Sequence, residues 1–398
     1  MNVKNMDLAA ERIRQSVEKG EQVVLYGDSD LDGVSSVVII KESIENLLSL
    51  LPDERKKDYP KILAYFPQRQ SEGYGLNDKA LAFIKTQTKG GLLITLDCGI
   101  TNYDEVADAK QSGFSVIIVD HHLPIGGRLP VADIVIDPKQ PGDDFLFKEY
   151  ANAGLAFKLA EEILKEKMSP MLRQNFLELT ALATIADMMP ETDENQTFIF
   201  EGLADIENSR RPAIQALRNL LRGEIFNSTR DLVSKINGLL NSSRMENHIT
   251  FAYTYLTEPD IIKAKKMAKE LLQEHESRQK EVYSLTENIK AVISESPGTP
   301  FIFMGSANWN IEFLGAVASR VSNFFDKPVF LYQKYDDFSR GTVRVPKGYD
   351  AVKAMETCKE LLRTFGGHPP AAGFTVVNKN LEKFEACLKK YFNNLNLE

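Results

Sequence analysis

The first 150 residues alternate short apolar runs with segments of helical periodicity. Apolar runs occur at residues 22–26, 62–66, 92–96 and 116–119. Each run is short and bounded by polar residues, which predicts strands that are buried on both faces. From Val37 to Leu51 the apolar positions recur at helical spacing, and a second helix is predicted at about residues 104–111, with Gly113 as its stop. The alternation of strands and helices predicts a parallel sheet covered on both faces.

The pattern changes near residue 152. Helical signals continue to residue 294 and include a long charged stretch at 259–289. A second α/β unit begins near residue 299, with predicted strands at 301–304, 329–332, 341–345 and 374–377, helices at 314–325 and 351–362, a turn at 366–370 and a final helix. The predicted fold class is therefore α/β, with an N-terminal parallel-sheet domain and its helical extension at 1–255, a helical connector at 256–298 and a smaller α/β domain at 299–398.

The composition is that of a globular protein. The chain has 398 residues, of which 43% are hydrophobic and 26% charged, and this length favours two domains. It has no apolar run of about eighteen residues, so we predict a cytoplasmic protein that does not bind membranes. The cysteines Cys98, Cys358 and Cys387 are widely separated, which predicts neither a disulfide framework nor a thiolate zinc site. The net charge of −8 excludes a uniformly basic surface but allows local contacts with nucleic acid.

Acidic residues directly follow three of the predicted strands. Asp28, Asp30 and Asp32 follow the first strand, Asp97 the third and Asp120 the fourth. The carboxyl ends of parallel strands share one sheet edge, where open α/β sheets bind ligands. So many converging carboxylates would raise one another's pKa, and divalent cations would remove that repulsion. The alternative is that these acids are separate turn and cap residues, a common role of Asp.

His121 and His122 come immediately after Asp120. An isolated histidine pair is usually part of a polar loop, but at an acidic sheet edge it indicates an imidazole ligand. Oxygen ligands with one nitrogen suit Mn²⁺ or Mg²⁺ better than zinc. Cys98 would point to the opposite face by strand parity, so we do not expect it to be a ligand.

Several segments, in the same order along the chain, resemble the motifs of RecJ-like proteins of the DHH/DHHA1 phosphoesterase superfamily. They are residues 26–36 (YGDSDLDGVSS), 67–69 (PQR), 72–76 (EGYGL), 96–101 (LDCGIT), 119–122 (VDHH), 183–190 (ATIADMMP) and 366–373 (GGHPPAAG). The resemblance covers almost the whole chain. It implies an N-terminal DHH domain that hydrolyses phosphodiesters and a C-terminal DHHA1 domain that binds substrate.

The resemblance also implies two Mn²⁺ or Mg²⁺ ions per active site. Their implied ligands are Asp30, Asp32, Asp97, His121 and Asp187, with Asp28 as an addition to the first ion's site. Asp32 and Asp97 would bridge the ions, while Asp120 and His122 would orient His121 or touch the scissile phosphate. Asp97, Asp120, His121 and His122 are the implied catalytic residues. Such a pair of ions would lower the pKa of a water molecule that attacks the phosphodiester.

Substrate contacts are implied at Arg69, Tyr74, Arg244, Arg344, Gly366, Gly367 and His368. A guanidinium group binds phosphate oxygens in a bidentate way, and a tyrosine ring offers a stacking face to a base. Backbone N–H groups of a glycine-rich turn can also bind phosphate. Each of these residues also has an alternative role that involves no substrate. The arginines would be ordinary surface residues, the tyrosine would pack within its loop, and the glycines would form a tight connection between two elements.

The chain departs from the RecJ pattern at substrate-contact positions. Trp309-Asn310 replaces a Trp-His pair, Arg344-Val345 replaces Arg-Ser, and residues 241–244 (NSSR) approximate an Asn-Ala-Ala-Gly-Arg segment. We also find no counterpart of the OB-fold of full-length bacterial RecJ, which leaves processivity open.

The expected function is metal-dependent hydrolysis of single-stranded nucleic acid from an end, in the 5′ to 3′ direction on DNA. The partner would then be single-stranded DNA or RNA. One alternative is a phosphoesterase for small substrates such as very short RNA, 3′-phosphoadenosine phosphate or cyclic dinucleotides. Another is a scaffold that binds a replication or repair protein such as GINS.

Overall fold

The computed structural model describes residues 3–57, 59–204, 206–224, 226, 228–241, 244–295 and 298–394. The chain divides into two compact units, Met1–Glu274 and His275–Glu398. Both are α/β, so the predicted fold class is confirmed. The three-part division at residues 255 and 298 remains a prediction. Ser242 and Ser243, which belong to the segment compared with the RecJ pattern, lie outside the described residues.

The first unit is built on a parallel sheet. Its strands in the described ranges are β1 (Val23–Gly27), β2 (Leu63–Tyr65), β3 (Gly91–Leu96), β4 (Phe114–Val119) and β5 (Ile134–Ile136). Their order is β2-β1-β3-β4-β5, and every pairing is parallel. The chain order reverses between β1 and β3, so a crevice forms at the carboxyl ends of these two strands. The four strands predicted for this unit are confirmed to within two residues, whereas β5 was not predicted.

Helices cover both faces of this sheet. They are α1 (Met6–Lys19), α2 (Leu31–Ser49), α3 (Asp53–Lys57), α4 (Arg69–Glu72), α5 (Asp78–Gln87), α6 (Tyr103–Gln111), α7 (Asn152–Leu164), α8 (Pro170–Ala186), α9 (Asp193–Leu203), α10 (Pro212–Leu220), α11 (Thr229–Leu240) and α12 (Phe251–Leu256), with a ribbon of β6 (Met245–Glu246) and β7 (Ile249–Thr250). One face packs against α1, α2, α7 and α8, and the other packs against α5 and α6. Burial on both faces explains the nearly continuous apolar strands.

The second unit contains a mixed sheet. Its strands are β8 (Ile302–Ser306), β9 (Val329–Lys334), β10 (Phe338–Arg344), β11 (Leu362–His368) and β12 (Ala371–Val377), in the order β11-β12-β10-β9-β8. Its helices are α14 (Ile311–Phe325), α15 (Ala351–Thr357) and α16 (Leu381–Asn393), and they follow α13 (Ile261–Glu295), which extends across the division between the units. Among the described residues, no helix combines the length and the apolar character needed to cross a bilayer.

The predicted turn at residues 366–370 is wrong in its extent. Gly366, Gly367 and His368 are the last residues of β11 and pair with β12, so only Pro369 and Pro370 connect the two strands. This strand lies at the edge of the sheet and its side chains are mostly exposed. It therefore lacks the buried apolar run that reveals an interior strand in a sequence.

The cysteine spacing predicts no disulfide framework, and the structure corrects this expectation for one pair. Cys358 follows α15 and Cys387 lies on α16, and the two are joined by a disulfide. They are 29 residues apart in the sequence, but α15 and α16 pack against each other, which brings their Cα atoms to 6.1 Å. Cys98 is a free, buried thiol in the core on the face covered by α5 and α6, in agreement with its predicted orientation.

Gly33 determines how closely α2 approaches the end of β1. A Cβ at this position would lie 2.4 Å from the main-chain oxygen of Asp28 and 2.7 Å from its nitrogen. Neither atom can move freely, because both belong to the backbone at the end of the sheet. Because Gly33 has no side chain, the start of α2 can pack directly against the main chain of Asp28.

We expect Gly33→Ala to lower the stability of the first unit by about 1–3 kcal/mol, since overpacking forces the backbone apart. This corresponds to a Tm decrease of roughly 2–4 °C per kcal/mol in calorimetry. Gly298→Ala is the matched control, because a Cβ there meets no atom within 4 Å. Equal Tm values for Gly33→Ala and wild type would contradict the steric argument.

Candidate metal centre

The predicted ligands converge at the carboxyl ends of β1, β3 and β4. Their oxygen and nitrogen atoms form three groups whose members lie within 4.8 Å of one another, namely Asp28 with Asp30 and Asp97, Asp32 with His121 and Asp187, and Asp97 with His121 and His122. Asp97 and His121 each belong to two groups. Asp187 comes from the end of α8, so a residue of the helical layer completes a cluster that the sheet begins.

Most of this cluster is shielded from water. Asp32 and Asp97 are each 2% exposed, although the side chain of Asp187 is 31% exposed. Burial, together with the charges of Asp187 and Asp30, raises the pKa of Asp32 well above its ordinary value. Burial and the charge of Asp32 raise the pKa of Asp97 in the same way. Burial and the charge of Asp30 raise the pKa of Asp187 to about 6.

His121 presents an unprotonated nitrogen to these carboxylates. Its Nδ1 lies 2.7 Å from the main-chain oxygen of Tyr150, and because a carbonyl oxygen only accepts, Nδ1 carries the proton. Burial and the charge of His122 lower the pKa of His121 to about 4, so the ring is neutral near pH 7. The Nε2 atom, which then carries a lone pair, lies 3.1 Å from Oδ1 of Asp97 and 3.8 Å from Oδ2 of Asp187.

Two oxygen atoms of the cluster have no hydrogen-bond donor within the part of the chain that the structure describes. Oδ1 of Asp97 and Oδ2 of Asp187 are both buried and unpaired. Native proteins rarely leave buried acceptors unpaired, because the lost hydration is not replaced. A divalent cation would satisfy these oxygens and the Nε2 atom of His121 together. Carboxylate oxygens with one imidazole nitrogen are a donor set that fits Mn²⁺ or Mg²⁺.

The position of Asp32 is fixed by the start of α7. Its two carboxylate oxygens accept hydrogen bonds of 2.7 Å from the main-chain nitrogens of Asn152 and Ala153. The N-terminus of a helix favours negative charge, which explains how the fold tolerates a buried acid here.

Arg69 neutralises the two acids nearest to it. Its guanidinium group makes a bidentate ion pair with Asp28, and its Nη2 also donates to Oδ2 of Asp30 at 3.0 Å. Burial raises the pKa of Asp28, and the hydrogen bond from Arg69 opposes that rise. Asp30 also caps α2 by accepting hydrogen bonds from the main-chain nitrogens of Asp32 and Gly33. Arg69 therefore supplies part of the positive charge that a cation would supply to Asp30.

Asp120 is already fully engaged by donors. It accepts hydrogen bonds from the main-chain nitrogens of Ile100 at 3.0 Å and His121 at 2.8 Å, and from Nδ1 of His122 at 2.8 Å. Burial alone would raise the pKa of Asp120, but the hydrogen bond and charge of His122 outweigh it and lower the pKa. Conversely, Asp120 raises the pKa of His122 despite the opposing effect of burial. Asp120 is therefore placed to orient the two histidines.

Tyr74 contacts the same part of the site. Its hydroxyl donates to the main-chain oxygen of Asp97 at 3.0 Å and lies 3.1 Å from Nδ1 of His122. Asp97 itself has a φ of 65°, in the left-handed region that an aspartate occupies more readily than most residues. Tyr74 is 48% exposed, so part of its ring remains free to stack on a ligand.

The other predicted substrate residues lie on different elements. Arg244 forms ion pairs of 2.6 Å with Glu274 and 3.2 Å with Glu270, and its guanidinium lies over the ring of Phe251. Its charge is thus already balanced. Arg344, at the end of β10, donates to Thr342 and to the main-chain oxygen of Val343, and no carboxylate pairs with it among the described contacts. Burial lowers the pKa of Arg344. Gly366, Gly367 and His368 are exposed at the edge strand β11.

Three residues at or beside this site were not predicted. Asn152 supplies a main-chain nitrogen to Asp32, and Glu72 accepts hydrogen bonds from Tyr65 and from the main-chain nitrogen of Gln68, which holds the segment that carries Arg69. Asp137 directly follows β5; burial raises its pKa to about 7, and its Oδ2 has no partner within the described residues. An acid directly after the apolar triplet 134–136 is the signal that would have revealed Asp137.

This chain combines a parallel sheet, whose strand ends carry an acidic cluster, with a second α/β unit. That combination indicates the class of protein to which it is similar. Residues 22–184 match the model of the DHH family, N-terminal domain, and residues 298–394 match the model of the DHHA1 domain. The chain thus carries both domains that characterise the DHH/DHHA1 superfamily, and the predicted resemblance is confirmed.

Within this superfamily the chain is similar to RecJ proteins. It is 32% identical over 396 residues to the single-stranded-DNA-specific exonuclease RecJ of Bacillus subtilis, covering 98% of this chain and 48% of that protein. The chain thus spans about half the length of this relative. A crystal structure of exonuclease RecJ bound to manganese has a TM-score of 0.83 and 25% identity, and covers 100% of this chain and 96% of that one. RecJ from Thermus thermophilus in complex with Mn²⁺ shares the fold, with a TM-score of 0.81 and 24% identity over 100% of this chain and 56% of that one.

We expect Mn²⁺ to raise the Tm of the first unit. At about 100 times its Kd a ligand adds about 2.7 kcal/mol, which corresponds to roughly 5–10 °C for a unit of this size. Asp97→Asn is the control, because Asn tolerates the left-handed backbone but supplies a weaker ligand and no charge. Differential scanning fluorimetry should show no Mn²⁺-dependent shift for Asp97→Asn. A shift of equal size in both proteins would place the ion elsewhere.

The same measurement should depend on pH. Because the pKa of Asp187 is raised to about 6, the folded chain holds this proton more tightly than the unfolded chain. Without cations, the contribution of Asp187 to stability therefore falls as pH rises from about 4 through 6. Mn²⁺ must displace this proton, so the Tm increase at a fixed Mn²⁺ concentration should be larger at pH 7.5 than at pH 5. An increase that does not change between these pH values would contradict proton competition.

Proposed function

We propose that the chain is a two-metal phosphodiesterase that hydrolyses single-stranded nucleic acid from an end. The observation that carries this proposal is the convergence of the unpaired oxygens of Asp97 and Asp187 on the Nε2 lone pair of His121. The similarity to RecJ proteins, which are single-stranded-DNA-specific exonucleases, supports this substrate class.

Mn²⁺ or Mg²⁺ would be held by carboxylates and one histidine. Asp30, Asp32, Asp97, His121 and Asp187 are the proposed ligands, with Asp28 beside them. When bound, the two ions supply an activated water at neutral pH and offset the negative charge that develops on the phosphate. The similarity to RecJ structures that contain manganese supports this choice of ion.

The remaining residues of the cluster orient these ligands and the substrate. The Tyr150 carbonyl holds the Nδ1 proton of His121, so Nε2 stays available as a ligand. Asp120 holds His122 through Nδ1, and the partly exposed His122 ring is placed to donate a hydrogen bond to a phosphate oxygen. The raised pKa of His122 favours its cationic form, which suits contact with an anion.

Arg69 and Tyr74 are proposed to bind the strand beside the cluster. Once cations balance Asp28 and Asp30, the Arg69 guanidinium can exchange these carboxylates for a substrate phosphate, which it would bind in the bidentate way. The exposed part of the Tyr74 ring offers a sequence-independent stacking surface to a base. Arg244 and the Gly366–His368 segment are proposed as further phosphate contacts, although Arg244 must first release Glu270 and Glu274.

DNA as the substrate and cleavage in the 5′ to 3′ direction are proposed from the resemblance to RecJ. RNA, a cytoplasmic location and a protein partner such as GINS stay predictions.

We expect Mn²⁺-dependent release of mononucleotides from end-labelled single-stranded DNA. Asp97→Asn should lower kcat by at least about 100-fold, because loss of even an outer partner of a metal ligand costs 10–100-fold. DNA strands labelled at the 5′ or the 3′ end show the direction of cleavage. A matched RNA and a dinucleotide, assayed in the same way, show which class of substrate is hydrolysed. Hydrolysis of the dinucleotide alone would instead favour the small-substrate phosphoesterase. Wild type that hydrolyses none of these substrates would favour the scaffold.

We expect Arg344→Gln to raise KM for single-stranded DNA by about tenfold with little change in kcat, since a charge-assisted phosphate contact contributes about 1.5–3 kcal/mol. The physical reason is that the partly buried Arg344 guanidinium has no carboxylate partner among its described contacts. Arg320→Gln is the matched control in the same unit, because Arg320 likewise donates to a neutral group, the side chain of Gln279, but lies on α14 and not among the proposed substrate contacts. Equal KM values for both variants would remove Arg344 from the substrate site.

A further inference from the structure

The turn that follows α8 contains a residue whose side chain does not suit its position. Met188 has a φ of 56°, in the left-handed region, and is 88% exposed. The left-handed region is unfavourable for a residue with a Cβ, and exposure of a long apolar side chain to water gains nothing in stability. Both features would disfavour methionine here if stability were the only requirement.

The backbone explains why the left-handed conformation is present. The main-chain nitrogen of Met188 donates to Ile185, and that of Met189 donates to Thr184, which together form a Schellman motif at the end of α8. This motif requires a left-handed residue directly after the helix cap, and glycine is its usual occupant. The turn also fixes Asp187 as the cap residue. The fold therefore needs this conformation, but it does not need a methionine.

Met188 lies directly beside the proposed metal centre. Adjacent Cα atoms are about 3.8 Å apart, so its side chain begins next to that of Asp187. The carboxylate of Asp187 in turn lies 3.8 Å from Nε2 of His121. The exposed side chain of Met188 is therefore within reach of the sugar and base that adjoin a scissile phosphate at this cluster.

We propose that Met188 contacts the base of the nucleotide that is being hydrolysed. This inference rests on the proposed function and specifies how the site recognises its substrate. Methionine is flexible and polarizable, and its sulfur interacts favourably with aromatic rings. Such a side chain adapts to purine and pyrimidine faces alike, as hydrolysis of any sequence requires. Contact with a base would cover the apolar surface that the free protein exposes.

The experiment compares two single strands that differ only at their ends. One ends in ordinary nucleotides, and the other carries an abasic residue at each end. For wild type we expect KM for the abasic strand to be about two- to twelvefold higher, which is the range of one methionine–aromatic contact. Met188→Asn should raise KM for the ordinary strand towards the abasic value and leave kcat unchanged. Met188→Leu should remain close to wild type, because it keeps a long apolar side chain.

Stability measurements separate this role from a structural one. Asn and Gly tolerate the left-handed region better than Met, so Met188→Asn and Met188→Gly should have Tm values equal to or above that of wild type. Asp326→Gly is the matched backbone control, because Asp326 has a φ of 51° and caps α14 while remaining exposed. This variant should leave both KM values unchanged.

The outcomes distinguish the two proposals. If wild type hydrolyses the ordinary strand but Met188→Asn keeps the wild-type ratio of the two KM values, the contact with the base is wrong and the proposed function stands. If wild type hydrolyses neither strand, both proposals are wrong. Equal KM values of wild type for the two strands would also overturn the contact, because no base would then be recognised.

Discussion

Repulsion among buried carboxylates is the constraint on which the rest of this site depends. The strand order β2-β1-β3-β4-β5 brings the ends of β1, β3 and β4 to one crevice, and each end carries an aspartate. Charges removed from water cost several kcal/mol each unless a partner replaces the lost hydration. The fold can therefore keep these acids only where N–H groups, cationic side chains or bound cations offset their charge.

The protein itself offsets only part of this charge. Asp32 receives two N–H groups from the start of α7, Asp28 receives the Arg69 guanidinium, and Asp120 receives main-chain nitrogens and His122. Within the described part of the chain, Asp97 and Asp187 each retain a buried oxygen without a donor, and Nε2 of His121 lies close to both oxygens. These two oxygens and the Nε2 atom of His121 thus face one another, as expected of a cation site and not of a set of turn residues.

The sequence predicted those parts of the structure that depend on short-range patterns. Buried strands leave continuous apolar runs, and residues directly after them must lie at one sheet edge, so Asp97 and Asp120 could be placed without coordinates. Asp187 sits in a helical segment with no such pattern, and only the resemblance to a family indicated it. The edge strand β11, the Cys358–Cys387 pair and the contact of Asn152 with Asp32 depend on long-range packing, which leaves no local signal.

Residues that contact the cluster from outside the sheet are held less rigidly than the proposed ligands. The proposed ligands at the strand ends are fixed by the sheet and by the starts of α2 and α7, so their geometry is rigid. Arg69 and Tyr74 lie on or just beyond the one-turn helix α4, which Glu72 ties to Tyr65. A nuclease needs both properties, because the scissile phosphate must be placed accurately while the bases differ from one nucleotide to the next. Rigid ligands on the sheet and adaptable contacts on short turns therefore meet the two requirements separately.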